Sequence, residues 1–562
     1  MALPIHSNAC INPNKSLGID EACLNIINEG SKVSLFGNIN SCYVCSGLPW
    51  GELPENSNNT FVISTKYPLS LYYKRNGLEW CHTTYKFQEH GGYGWNLSEA
   101  HICSYFYKLT EPDNPHLPIL AAFMVFTIAS VINATANFVI KVVQGFLTRN
   151  SGDDQSPLQE SDSPPQPSMR ITRADTRIRS IDAFRGIAVL LMIFVNNGGG
   201  GYVFFEHAPW DGLTVADLVL PWFAWIMGVT IILSVRSQLR LSIPRSRIIL
   251  KAFKRSLIFI FLGLIISNPV KPSLVSLRIT GVLQLLGITY FICATIEALF
   301  MKLQRNYQYG RLAFLQDVFD SWVQWLIVLI LVAIHLLITF LLPVPGCPTG
   351  YLGPGGYHLN GKYANCTGGA AGYIDRMIFG NHTYLKKKNI IYGNLLPHDP
   401  EGLMNTLSAV LIVAMGLQAG RILFGYLRCF SKFVRWFAWA ALTGIIAGYL
   451  CDWGFQGVLP VNKNMMTTSF TLIASCFAFL LFSILYYLID YLRIWDGIPF
   501  IYAGANSIFL YVGHYFTMDR FPWSWKLENP SHTSLLAMNL WTTTLWGLIA
   551  YGLYKKDIII SV

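Results

Sequence analysis

Between positions 117 and 334 the chain has a single histidine, His207, in a setting that suits acid–base chemistry. Asn196 and Asn197 precede it, followed by four glycines, Gly198 to Gly201, which let backbone approach a ligand closely. Glu206, Trp210 and Asp211 flank it, and the loop holds no Lys or Arg. An imidazole with an ordinary pKa of about 6.5 can exchange a proton or attack as a nucleophile. A solvated or structural histidine is the plainer alternative. Ten residues on, Asp217 enters an apolar run ahead of Pro221. A buried carboxylate needs a partner, and a cationic side chain or the His207 imidazole would serve. Asp182 and Arg185 are three apart on one helix face. They read as a local ion pair, or as Arg185 reaching an anionic group in a cavity. Arg278 opens another apolar run, and Asn506 and His514 lie within a third. For these, a satisfied interhelical hydrogen bond and a second functional site are both open readings.

The elements that must position these groups are membrane helices. The chain has 562 residues, of which 52 % are apolar and 13 % charged. That charged fraction is about half the usual 25 % of soluble proteins. The apolar residues gather in blocks of about 20, the length that crosses a bilayer. A soluble enzyme, a disordered chain and a coiled coil are excluded. The net charge of +10 is scattered between apolar blocks, which argues against nucleic-acid binding. Eleven spans are expected, at 117–141, 181–197, 213–235, 252–268, 277–300, 322–343, 404–421, 434–451, 466–488, 498–516 and 535–554. No internal repeat is visible. Membrane lipid is the surrounding medium.

Residues 1–116 read as a separate polar domain with strand-like runs. It holds Cys10, Cys23, Cys42, Cys45, Cys81 and Cys103. A zinc or redox site at Cys42 and Cys45 would want a second close Cys or His pair, and none stands out, so no metal is expected. Disulfides are the expectation, in any of 15 pairings, and they require an oxidising compartment. Sequons at Asn14, Asn58 and Asn96 agree. After the first span, 142–180 reads as a cytosolic linker, disordered in its Ser/Pro-rich part. Residues 181–562 read as the helical bundle, with a luminal loop at 344–403. That loop carries Cys347 and Cys366, an expected disulfide, and sequons at Asn365 and Asn381. Arg and Lys concentrate after spans 1, 3 and 7 and at the C-terminus, which places the N-terminus in the lumen and the C-terminus in the cytosol. The start, Met1 to His6, has no basic or apolar leader pattern and reads as incomplete.

From Arg177-Ile178-Arg179-Ser180-Ile181-Asp182-Ala183-Phe184-Arg185-Gly186 the sequence resembles the family of lysosomal heparan-α-glucosaminide N-acetyltransferases. The resemblance continues through His207-Ala208-Pro209-Trp210, Gly212 to Val219, Leu342 to Gly356, Gly368 to Arg376, Pro460 to Asn464 and Tyr511 to His514. It departs at Asn197, where relatives are expected to have an aromatic residue. The resemblance implies a polytopic α-helical enzyme of the lysosomal membrane and a homodimer. It implies transfer of acetyl from cytosolic acetyl-CoA to the terminal glucosamine amine of heparan sulfate in the lumen. It makes His207 the active residue, with Asn196 close by. The amine must lose a proton, so His207 would act as base, or would carry acetyl itself. Asn196 or the glycine N–H groups would donate to the thioester oxyanion. Arg185, Arg278 and Lys463 are the cations placed to meet the anionic end of CoA. The competing class is a proton-coupled transporter of a sugar or acyl compound, with His207 as relay.

Overall fold

The structure is a computed structural model that describes residues 5–6, 17–98, 103–150, 178–268, 274–303, 315–384, 389, 391–454 and 457–560. The expectations for Cys10, Asn14 and most of the linker fall outside those residues.

The described residues of the N-terminal region form nine strands. These are β1 (Ile5–His6), β2 (Glu21–Asn28), β3 (Val33–Ile39), β4 (Leu48–Leu53), β5 (Ser57–Ser64), β6 (Leu69–Arg75), β7 (Leu78–Tyr85), β8 (Gly92–Leu97) and β9 (Tyr107–Thr110). They make two sheets, ordered β1-β5-β2-β8-β9 and β4-β3-β6-β7. Side chains alternate in and out along β2 and β3, the period of a half-buried strand. The inward faces meet: Trp50 of β4 lies 6.2 Å from Phe61 of β5, and Tyr73 of β6 lies 5.9 Å from Trp95 of β8. Disulfides join Cys42 to Cys45 and Cys81 to Cys103, and Cys23 is also disulfide-bonded. Among the described residues no cluster of metal-ligating side chains occurs. Asn58 is exposed and Asn96 half-buried.

Residues Asp113–Ile178 form a unit of their own, whose helix α1 is Leu117–Asn150. The remaining helices are α2 (Arg179–Asn196), α3 (Val215–Arg240), α4 (Arg245–Ser267), α5 (Val282–Phe300), α6 (Gln316–Phe319), α7 (Trp322–Leu341), α8 (Gly369–Phe379), α9 (Leu403–Gly425), α10 (Cys429–Leu450), α11 (Thr468–Leu485), α12 (Phe500–Ala505), α13 (Ser507–Thr517) and α14 (His532–Lys555). All eleven stretches expected to span are helical. Among the described residues six helices are long and apolar enough to cross a membrane: α3, α5, α7, α9, α10 and α11 with its continuation to Tyr491. Three of the others differ for visible reasons. α4 starts at Arg245 and carries Arg247, Lys251, Lys254 and Arg255 in its first half. α2 has only 18 residues and includes Arg179, Asp182 and Arg185. The tenth stretch breaks at Asn506 into two short helices.

α3 and α9 pack closely, in parallel. A Cβ on Gly416 would stand 1.8 Å from the Trp225 carbonyl oxygen, so only glycine permits this approach. The consequence is positional. Asp217 in the first turn of α3 and Glu401 just before α9 lie at the same end of the bundle.

The β-sandwich docks at that end. Lys66 pairs with Glu206 at 2.6 Å. His532, the first residue of α14, is 4 % exposed and hydrogen-bonds the Gly200 carbonyl through Nδ1 at 2.9 Å. Its Nε2 faces Asp20 at 3.4 Å and Glu89 at 3.5 Å, both on the sandwich, and Tyr202 stacks on its ring at 4.4 Å. The Asp20 carboxylate raises the His532 pKa above its ordinary 6.5; burial opposes this, and the Gly200 carbonyl and Glu89 add to the rise. A raised folded-state pKa contributes stability that is complete below the ordinary value and is lost as pH climbs through the raised one. Limited proteolysis of the intact chain should therefore cut the sandwich junction faster as pH rises above about 6.5. His532→Gln should flatten that dependence, and a pH profile identical to wild type would refute the contact's role.

Candidate functional site

His207 is held from several sides by its own loop. The Trp210 indole N–H donates to the Leu352 carbonyl at 2.9 Å, and Asn389 Nδ2 donates to the Pro209 carbonyl at 3.2 Å. Asp211 accepts from Asn462 Nδ2 at 2.9 Å, and the Gly212 N–H donates to the Val461 carbonyl at 2.8 Å. Burial pushes the Asp211 carboxyl up to about 6, and the Asn462 hydrogen bond only partly offsets it. The glycines upstream all take positive φ, between 55° and 111°, which glycine alone adopts without strain. Their N–H groups are engaged inside the fold. Gly198 donates to the Val195 carbonyl, Gly200 to Asn539 Oδ1 and Gly201 to the Gly198 carbonyl. The turn therefore acts as a pivot, and these three groups do not point to an oxyanion site.

Asp217 is fully buried and works at two levels. One oxygen, Oδ2, accepts from the Thr214 amide at 3.1 Å, the Thr214 hydroxyl at 2.9 Å and the Ala208 amide at 3.2 Å, which caps α3 and ties the loop to it. The other, Oδ1, lies 2.8 Å from His207 Nδ1. A carboxylate only accepts, so Nδ1 carries the proton and Nε2 keeps its lone pair. Lys463 Nζ sits 3.1 Å from Nδ1, 3.3 Å from Nε2 and 4.0 Å from Asp217 Oδ1. Its side chain is 14 % exposed, whereas that of His207 is 47 % exposed. The imidazole thus faces solvent with a buried anion on one side and a nearly buried cation on the other. The carboxylate and the ammonium act on the ring in opposite senses.

Asn196 and His514 form a second pair. Asn196 Nδ2 lies 3.1 Å from His514 Nε2 and 3.5 Å from the Tyr515 hydroxyl. His514 Nδ1 donates to the Tyr511 carbonyl at 2.6 Å, so its Nε2 accepts from Asn196. Arg278 is engaged by acids. Nε and Nη2 bind Asp399 at 2.9 and 2.7 Å, Nη2 also binds Glu401 at 2.7 Å, and Tyr384 lies 4.3 Å from the guanidinium. Hydrogen bonds from Arg278 hold Asp399 below the usual carboxylate range despite burial; burial pushes Glu401 up. Glu401 links the two groups, because it lies within electrostatic reach of Lys463 on one side and of Tyr511 and Tyr515 on the other. Glu401, Asp399 and Tyr515 were not foreseen. The signal was present in the acid pair Asp399 and Glu401 immediately before an apolar run.

Arg185 lies elsewhere. It reaches Asp182 at 3.5 Å and lines a cleft with Arg255, Met227, Leu286 and Tyr511. Cys347 and Cys366 are disulfide-bonded, and Asn365 and Asn381 are exposed.

Fold and site together define a polytopic membrane protein with a solvent-facing histidine, paired with a buried aspartate, at the end of its bundle where a β-sandwich docks. The chain is 38 % identical to human heparan-alpha-glucosaminide N-acetyltransferase over 583 residues, covering 96 % of this chain and 88 % of the relative. It is equally 38 % identical to the mouse protein of that name, covering 97 % and 89 %. No family model matches. The chain belongs to the heparan-α-glucosaminide N-acetyltransferase family.

Proposed function

We propose that this protein is an acetyl-CoA-dependent acetyltransferase of the lysosomal membrane, moving acetyl to the terminal glucosamine amine of heparan sulfate. The observation that carries this reading is His207, half exposed, with Nδ1–H on buried Asp217 and Nε2 3.3 Å from Lys463 Nζ. A sugar amine in an acidic lumen arrives as ammonium. Nε2 takes its proton and frees the nitrogen lone pair, which bonds the thioester carbonyl carbon; the C–S bond then breaks and CoA leaves as the thiol, taking up the second proton that the nitrogen sheds. The imidazolium so formed is stabilised by Asp217. Asn196 is the side chain we assign to the developing oxyanion, which it would reach by exchanging its hydrogen bond to His514.

The cleft between α2, α3, α4, α5 and α13 supports the donor's side of the reaction. Its wall is apolar, with Arg185 and Arg255 set into it. Arg255 lies 4.9 Å over the Tyr290 ring, and its Nε is buried without a hydrogen-bond partner among the described residues. Such guanidinium groups suit the phosphates of CoA, and the apolar wall suits its pantetheine arm. Lys463 and Arg278 are engaged near His207 and the Glu401 acids, so their cationic role is local to the acceptor side. The further parts of the proposal are eleven spans in lipid, a luminal N-terminus, a cytosolic C-terminus, a homodimer, and the domains 1–116, 117–141, 142–180 and 181–562.

Sealed vesicles test it. With labelled acetyl-CoA outside and a glucosamine-ended heparan oligosaccharide inside, the label should appear on the enclosed sugar amine. Movement of unmodified sugar with no labelled product would replace the transferase with a transporter. Glycans on Asn365 and Asn381 should face the vesicle interior; cytosolic exposure of either would reverse the orientation.

A further inference from the structure

Asn506 is fully buried at the break between α12 and α13, and no step above uses it. Its carboxamide makes two hydrogen bonds, both to the C-terminal tail. Nδ2 donates to the Ile558 carbonyl at 3.0 Å, and Oδ1 accepts from the Ile560 amide at 2.8 Å. The side chain thus reads residues 558 and 560 as a neighbouring strand would. The tail is brought there by a built turn. α14 ends at Lys555, Asp557 adopts a left-handed φ of 53°, and the Ile558 amide donates back to the Leu553 carbonyl at 3.0 Å. Tyr554 packs on Tyr502 at 4.9 Å, which fixes the end of α14 against α12. So placed, Ile560 lines the same cleft as Arg185 and Arg255.

We infer that the tail at 557–560 is a wall of the acyl-donor site, strapped in place by Asn506, and that it sets donor affinity. This rests on the reading of the cleft as the acetyl-CoA site. The helix break at Asn506 gains a reason from it. A continuous α12–α13 helix would keep this carboxamide against its own backbone ladder, whereas the break turns it toward the tail. Only a carboxamide both donates and accepts here; an aspartate at 506 would face the Ile558 carbonyl with a second acceptor.

The test uses full-length protein in detergent or vesicles. Acetyl-CoA added to wild type should slow hydrogen exchange at the Ile560 amide, a readout that requires no acetyl transfer. Asn506→Ala should speed that exchange and raise the acetyl-CoA KM roughly tenfold, about the worth of one or two buried hydrogen bonds. The glucosaminide KM and kcat should stay within about twofold of wild type. If Asn506→Ala does not fold, deletion of residues 557–562 leaves the helix break intact and should raise the same KM. A freed tail with an unchanged acetyl-CoA KM overturns the strap, as does wild-type exchange indifferent to acetyl-CoA. A wild type whose tail responds to acetyl-CoA but which acetylates no sugar keeps the strap and overturns the reaction.

Discussion

His207→Ala should lower acetyl transfer by roughly 10²- to 10⁴-fold while the protein folds and is glycosylated as wild type. The effect on rate is large because neither charged neighbour of the ring can replace it. Asp217 faces Nδ1 from a fully buried position, and Lys463 is a cation that cannot accept a proton while charged. The effect on folding is small because the side chain is 47 % exposed and its loop is pinned by Trp210, Asp211 and Gly212. The same variant separates two routes. If the imidazole itself carries acetyl, labelled acetyl-CoA without sugar should leave label on wild type and none on His207→Ala. If it acts only as base, neither protein retains label, yet the loss of turnover is the same. Near-normal turnover in folded His207→Ala would remove the histidine from the reaction and direct attention to His514.

What the sequence disclosed about this site follows from distance along the chain. His207 and Asp217 are ten residues apart, and a buried carboxylate beside a loop imidazole was a pairing that residue types alone could raise. Lys463 lies 256 positions from His207, so only the fold could bring it to the ring. The acids at the sandwich end of the bundle show a different limit. Asp399 and Glu401 stand at the edge of an apolar run, and attention to charges inside spans passes over charges that cap them. Arg278 therefore read as a free cation for CoA, whereas two carboxylates hold it. The helices were legible because 20-residue apolar blocks have few alternatives. Their membrane-crossing character was less so where charge is concentrated, as in the first half of α4, or where one polar residue breaks the run, as at Asn506. The sandwich was visible only as cysteines and strand-like runs. Its parallel β2–β8 pairing and its dock on His532 depend on contacts of high sequence separation.

Asp217→Asn is the second large effect, and it isolates orientation from folding. Asparagine is isosteric, and its Oδ1 can turn to keep the bonds from the Thr214 amide, the Thr214 hydroxyl and the Ala208 amide. Its Nδ2 then faces His207 Nδ1 and donates where the aspartate accepted. The imidazole must answer by moving its proton to Nε2, which leaves that nitrogen unable to accept one from the substrate amine. Loss of the buried anion also removes the group that stabilises imidazolium, while Lys463 continues to disfavour it. Both changes act on the step after binding. The expected result is a kcat lower by roughly 10²- to 10⁴-fold, with the acetyl-CoA KM within about threefold of wild type. The acid limb of the pH–rate profile should move toward lower pH, because the ring is protonated less readily without its carboxylate. Thr214→Ala is the informative control: it removes one bond to the same carboxylate oxygen and leaves Oδ1 on His207, so it should destabilise α3 without a comparable loss of kcat. Equal losses in the two variants would mean that Asp217 serves the helix end alone and that the histidine tautomer is set elsewhere.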